Sequence, residues 1–251
     1  MKVELLSYTP DALNLLLRTK NTRLKFDSDP AGWSAEQKDE HLKYMLTTIK
    51  SSWEFVDYTF QISGVTRAFT HQLVRTRTGS YAQESQRTVD VRNNEIFTPH
   101  FIDENAFYVW LDGAGGAINA YIELVEMGVP IQDARGILPT NMTTSIIAKF
   151  NLRTLHETAK VRLCTKTQGE YQQVFRAMRE CVLEVHSWVE PFIQVHCAAT
   201  GTCAFPRYGK TDCQFYDERM DNEELKAKVK EHFWSSTIQA ANPIAKDGMA
   251  S

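Results

Sequence analysis

Residues 75–87, RTRTGSYAQESQR, hold three arginines, two serines and two glutamines, with one tyrosine and no large aliphatic side chain. Guanidinium groups grip phosphate or carboxylate bidentately, and amides and hydroxyls can read the edge of a base. On a helix, Arg75 would lie one turn from His71 and Gln72. Gly79-Ser80 then turns the chain. An extended backbone beyond that turn would point Gln83, Ser85 and Arg87 the same way. The residues alone leave two readings open: a concave site for an anionic, planar ligand, or a solvated turn whose arginines pair with Glu84 and Asp90.

Other chemistries find less support. Gly113-Ala-Gly115-Gly116 is not a dinucleotide fingerprint, because position 118 is Ile and no strand precedes it. No HExxH occurs, and the five cysteines (Cys164, Cys181, Cys197, Cys203, Cys213) include no CxxC pair. They read as reduced thiols, with neither a disulfide frame nor a metal site expected. Cys164, close to Arg162, could be an activated nucleophile, but a buried free thiol is the simpler reading.

The elements that must position segment 75–87 are legible around it. Val56, Tyr58, Phe60 and Ile62 alternate with Asp57, Thr59, Gln61 and Ser63, as a half-buried strand over 55–63 requires. Gly64 should end it, and Val65, Ala68, Phe69 and Leu73 give a helical stripe over 65–77. Upstream, Ser34-Ala-Glu-Gln37 is a capping box opening a helix to about residue 49. Downstream, a long helix should start near Asp103, break at the glycines 113–116, and stop at Gly128-Val-Pro130. Residues 142–150 fit a short strand or a helical extension, and 151–164 and 170–195 read as helices. Asp221, Glu223 and Glu224 ahead of Lys226, Lys228 and Lys230 suit the dipole of a last helix, with the final ten residues frayed. Helices and strands come in runs, which predicts an α+β fold.

With 251 residues, 43% of them hydrophobic, the chain can bury a core as one large domain. A net charge of −3 lacks the basic excess of a nucleic-acid binder. The N-terminus lacks the apolar core of a signal peptide and no run reaches membrane-spanning length, so a cytoplasmic protein is expected (in a host cell, were the source a virus) with no membrane partner.

Segment 75–87 resembles the RHRxxSxxxxSxR signature of the flavin-dependent thymidylate synthases, the thymidylate synthase complementing family. The lead-in WEFVDYTFQISGVTRAFTHQLV and the later blocks EMGVPIQDARGILPTN and NLRTLHETAKVRLCTKTQGEY resemble that family in order and separation. The resemblance covers roughly residues 40–200. It implies a single α+β domain, a mainly antiparallel sheet with packed helices, with residues 1–205 catalytic and 206–251 a helical extension and tail of the same domain. It further implies reductive methylation of dUMP to dTMP, with methylenetetrahydrofolate as carbon donor, FAD as cofactor and NADPH as reductant. The implied dUMP contacts are Gln72, Arg75, Gln83, Glu84, Ser85, Gln86, Arg87, Arg135 and Arg162, the last being the catalytic arginine that polarises the pyrimidine. The implied FAD contacts are Ser51, Arg75, Thr76, Arg77, Gln83, Asn151 and Arg153, in a homotetramer whose sites are shared between subunits. Three positions depart from the pattern: Thr76 stands where the signature has His, Thr88 where Tyr is frequent, and Glu157 where His or Asn is usual. A hydroxymethylating relative and a non-catalytic nucleotide- or flavin-binding homologue are the alternatives.

Overall fold

A computed structural model of the chain describes residues 1–99, 103–205, 213–215 and 222–235. Four strands form one antiparallel sheet in the order β1-β2-β4-β3: β1 (Lys2–Tyr8), β2 (Asp57–Thr66), β3 (Ser80–Gln83) and β4 (Thr143–Asn151). Around it lie α1 (Ala12–Leu24), α2 (Ala35–Thr47), α3 (Arg67–Leu73), α4 (Glu104–Glu126), α5 (Ile131–Ala134), α6 (Leu152–Arg162), α7 (Gly169–Val185), α8 (His196–Thr200) and α9 (Asn222–Ser235). The α+β expectation holds. Among the described residues no helix is long and apolar enough to cross a membrane.

The sheet has one apolar face. Tyr58, Phe60 and Ile62 of β2 and Ile146, Ala148 and Phe150 of β4 are buried in one core with Tyr171, Val174, Phe175, Met178 and Val182 of α7. The alternation read from the sequence selects this face, since consecutive strand residues point to opposite sides. The region 142–150, open between strand and helix, is the central strand β4, paired with β2 from Asp57↔Asn151 to Thr66↔Thr143. Thr144, Ile146, Ala148 and Phe150 are its buried set.

Gly64 bulges the strand and does not end it. Its φ of 65° carries a register shift between Ser63 and Val65, after which β2 runs on to Thr66. Helix α3 therefore starts at Arg67, two residues later than the stripe predicts. The Thr66 hydroxyl accepts from the Phe69 N–H as N-cap, and the buried Glu170 of α7 accepts from both the Thr66 N–H and its hydroxyl. The helix ends at Leu73, four residues early, so Arg75 and Arg77 sit in the turn beyond it. Buried Thr66 and Thr70 replace half-exposed Ala68 in its inner face.

The capping box at Ser34 forms with both its bonds, Ser34 N–H to Gln37 Oε1 at 2.8 Å and Gln37 N–H to Ser34 Oγ at 3.3 Å. Helix α4 runs through Gly113–Gly116 without the expected break, and it stops where Gly128 takes φ 89° before Pro130. Those three helical glycines face open space and need no special backbone. The helix over 170–195 is also shorter than expected: α7 ends at Val185, and Ser187–Phe192 is a 3₁₀ turn containing Pro191. The frayed tail expected over the last ten residues lies outside the described residues. Leu225 and Val229 of α9 are buried in the main core. A second, smaller core of Val91, Tyr121, Ala134 and Met142 seats α4 against α5 and the start of β4.

Candidate active site

Segment 75–87 wraps both ends of β4. Strand β3 pairs Ser80 with Lys149 and Gln83 with Ile146, so three residues of strand, roughly 10 Å, separate its two ends. The turn 74–79 falls beside the start of α6, where the Thr154 hydroxyl donates to Thr78 Oγ1 at 3.0 Å. Residues 84–87 fall at the other end of β4, near Arg67 and Met142.

The first end is held rigidly. The Tyr81 hydroxyl lies within hydrogen-bond reach of two carbonyls, Leu73 O at 3.1 Å and Thr76 O at 2.7 Å, and its ring packs edge-on against Phe150. A Cβ on Gly79 would stand 2.5 Å from that hydroxyl and 2.6 Å from the Phe150 ring. Gly79→Ala should therefore expel Tyr81 and destabilise the fold by about 1–3 kcal/mol, as overpacking does. Chemical unfolding of the variant, followed by tryptophan fluorescence, measures it.

Arg162, the last residue of α6, lays its guanidinium over the Tyr171 ring at 4.3 Å to the centroid. The Tyr171 hydroxyl is buried without a hydrogen-bond partner, with Thr76 and Arg162 close to it. Burial pushes this phenol up, and the charge of Arg162 works against that shift. Asn151 caps α6 through its own side chain, accepting from the Thr154 N–H at 2.8 Å. Arg153 pairs with Glu54 and so ties α6 to the 3₁₀ turn Lys50–Phe55, which carries exposed Ser51. Six of the seven residues expected against the flavin (Ser51, Arg75, Thr76, Arg77, Asn151, Arg153) thus cluster at this end. Gln83 does not: it lies at the far end of β3 and donates to Thr70 Oγ1.

At the second end the extended alternation fails. Strand β3 stops at Gln83, and the chain turns at 86–88, where the Arg87 N–H donates to Ser85 Oγ at 3.1 Å. Gln83, Ser85 and Arg87 therefore do not share a strand face. The Glu84 carboxylate accepts from Asn94 at 3.0 Å and from the Ser145 N–H at 3.3 Å, so it braces this loop against β4. Gln86 donates weakly to Met142 Sδ, and Gln72, at the end of α3, bonds Gln168. Arg135, in the turn after α5, donates from Nε to Gln132 O, and its charge acts on Arg67 nearby. Arg67 bonds the Glu84 carbonyl at 2.7 Å, while its buried Nε has no partner. Sequence reasoning missed Arg67, Tyr81, Tyr171 and Glu170. All lie within the quoted blocks, but nothing local marks them as the parts that fix the turns.

The decorated-turn reading required arginine pairs with Glu84 and Asp90. Asp90 instead takes Arg92 and the Tyr121 hydroxyl. Among the described residues no ion pair engages Arg75, Arg77 or Arg87, so three guanidinium groups are available to an anion.

The Glu157 departure is absorbed locally. Lys50 reaches Glu157 at 3.0 Å and Lys160 reaches it at 2.9 Å. Burial alone would raise this carboxyl, but the bonds from Lys160 and Lys50 hold it at about 2. Beside it, His156 donates from Nδ1 to Phe192 O at 2.6 Å and accepts from Lys50 at Nε2. Burial lowers this imidazole to about 4. The unfolded chain then binds the proton first as pH falls, so stability should drop between about pH 6.5 and 4, by on the order of 3 kcal/mol, and level off below. Urea midpoints across that range, compared with His156→Gln, test this; an unchanged acid slope in the variant would exclude His156 as its source.

A family model described as "Thymidylate synthase complementing protein" matches residues 4–187. The flavin-dependent thymidylate synthase of Sulfurisphaera tokodaii is 31% identical over 209 residues, covering 78% of this chain and 79% of that one. The enzyme of the same name from Geobacter sulfurreducens is 34% identical over 201 residues, covering 77% and 85%. A crystal structure of the Helicobacter pylori flavin-dependent thymidylate synthase, complexed with FAD and dUMP, superposes with a TM-score of 0.65 at 19% identity, over 77% of this chain and 100% of that one. With an antiparallel sheet that carries the arginine-rich segment between α3 and β4, the chain belongs to the thymidylate synthase complementing family, the flavin-dependent thymidylate synthases.

Proposed function

We propose that this protein converts dUMP to dTMP by reductive methylation, taking carbon from methylenetetrahydrofolate and electrons from NADPH through bound FAD. The observation that carries the reading is the set of unpaired guanidinium groups, Arg75, Arg77 and Arg87, at the two ends of β3, with Arg162 stacked on Tyr171 beside the first end. Phosphates are the ligands that such donors fit.

Ser51, Arg75, Thr76, Arg77, Asn151 and Arg153 would hold FAD, with Gln83 more distant. FAD, once reduced, supplies the electrons that complete the methyl group. Arg87 and Arg135 bind the nucleotide's phosphate and base, joined by Gln72, Gln83, Ser85 and Gln86. Glu84 contributes by holding the loop, since its carboxylate is engaged with Asn94 and Ser145. Arg162 stabilises negative charge developing on the pyrimidine, and its stacking on Tyr171 fixes the guanidinium in advance. Residues 1–205 form the catalytic domain and 206–251 its extension.

The same reading makes the protein a homotetramer with shared sites. The arginine-bearing segment lies largely on open surface, and neither the cavity beside Cys164 nor the one beside Leu42 includes any of its residues. Helix α4 exposes three large apolar side chains near its start, Tyr108 (57%), Val109 (76%) and Leu111 (45%), suited to contact with another copy.

The test is direct. The purified protein should show flavin absorbance and form dTMP from dUMP with NADPH and methylenetetrahydrofolate. A product heavier by one oxygen would identify the hydroxymethylating alternative, and flavin absorbance without turnover the non-catalytic one.

A further inference from the structure

Four of the five cysteines gather in one place. Cys164 follows the end of α6, Cys197 lies in α8, and Cys203 and Cys213 belong to the chain leading toward α9. All four line one apolar cavity of about 30 Å³, together with His196 and Lys160. That volume has room for a single small occupant. Cys181 stands apart, its thiol directed at the Val3 carbonyl. The odd count therefore resolves into a cluster of four and one bystander.

Three of the four sulfurs receive hydrogen-bond donors. The Phe205 N–H donates to Cys203 Sγ at 3.4 Å, two residues along the chain, and the Lys166 N–H donates to the Cys164 sulfur with the same two-residue offset. The Thr165 hydroxyl donates to Cys213 Sγ at 3.7 Å. Donors aimed at sulfur favour its anionic form, and such outer-shell bonds orient thiolate ligands. Four thiolates crowded around one apolar cavity would repel one another and lose their hydration. A bound divalent ion inverts that logic.

We propose that Cys164, Cys197, Cys203 and Cys213 form a tetrahedral thiolate site for a soft divalent cation of the Zn²⁺ type, which ties the C-terminal extension to the end of α6. Uptake releases one proton from each thiol and leaves a site of net charge −2, beside Lys160. Among the described residues no three His, Cys, Asp or Glu side chains already converge to hold an ion, so binding must draw the sulfurs inward. The benefit to the fold is specific. A shared ion would join Cys203 and Cys213 to Cys164 at the end of α6 and Cys197 in α8, a cross-link of the kind a structural metal supplies. Its anchor, Cys164, is two residues beyond Arg162.

The experiment uses the full chain, purified without chelator, with zinc measured by inductively coupled plasma mass spectrometry. One equivalent per chain is expected, retained in Cys181→Ser and lost in Cys213→Ser. Exchange with Co²⁺ should give sulfur-to-cobalt charge transfer and the visible bands of a tetrahedral thiolate complex. The cobalt spectrum of the unaltered protein decides the matter even if the cysteine variants fail to fold. Absence of stoichiometric zinc together with no thiolate–cobalt bands would overturn the proposal. So would zinc retained in the double variant Cys203→Ser/Cys213→Ser, or a mass lower by two hydrogens per cysteine pair, which would mark disulfides.

Discussion

Arg162→Ala is expected to lower dTMP formation by on the order of 10²–10³-fold while the protein keeps its flavin, the usual loss when one preorganised electrostatic donor is removed. The backbone around Arg162 does not depend on its side chain. Asn151 caps α6 at one end, and Leu152, Leu155 and Ala159 bury its inner face. The guanidinium itself is half-buried and stacked on Tyr171, so it reaches its position without ordering on ligand binding. Arg162→Lys keeps a charge but loses the planar fork and the stacking, and should fall between wild type and alanine. Steady-state rates with flavin absorbance on the same samples separate the outcomes. Turnover near normal in Arg162→Ala would remove it from the catalytic role. Loss of flavin would instead make it a brace for the turn at Thr76.

The second large effect lies in the arginine-rich segment, whose two ends should fail differently. Arg87→Ala should weaken dUMP binding by roughly 1.5–3 kcal/mol, the worth of a charge-assisted hydrogen bond, and leave FAD in place. Arg77→Ala should release FAD first, with dUMP affinity falling only as a consequence. The separation rests on the register of β3 against β4, which sets Arg77 beside α6 and Arg87 past the opposite end. Thr76→His, which restores the family imidazole, should tighten the flavin or leave it unchanged. Calorimetry with dUMP and absorbance for FAD cover all three variants. The same pattern of loss from Arg77→Ala and Arg87→Ala would reduce the segment to a folding element.

Where burial is local, the sequence determined the outcome. Val56, Tyr58, Phe60 and Ile62 alternate because one side of β2 meets a core, and all four are buried. Ser34 and Gln37 satisfy each other's backbone within one turn, and Gly128 with Pro130 stops α4 without outside help. The ordered blocks likewise carry the family, since they preserve the side chains that meet in space. Tertiary structure decided the rest. Helix α3 ends at Leu73, where Tyr81, eight residues on, reaches its last carbonyl, and Gly79 alone leaves room for that ring. Arg87 leaves the line of Gln83 and Ser85 because Ser85 closes a turn. Glu157 is neutralised by Lys50 from another element, and four scattered cysteines share a cavity. The partners of Glu157 and of the cysteines are distant in sequence, and the turns at Tyr81 and Ser85 close on residues that no periodicity marks. Periodicity records which side of an element is buried, and only the packed chain specifies what it is buried against.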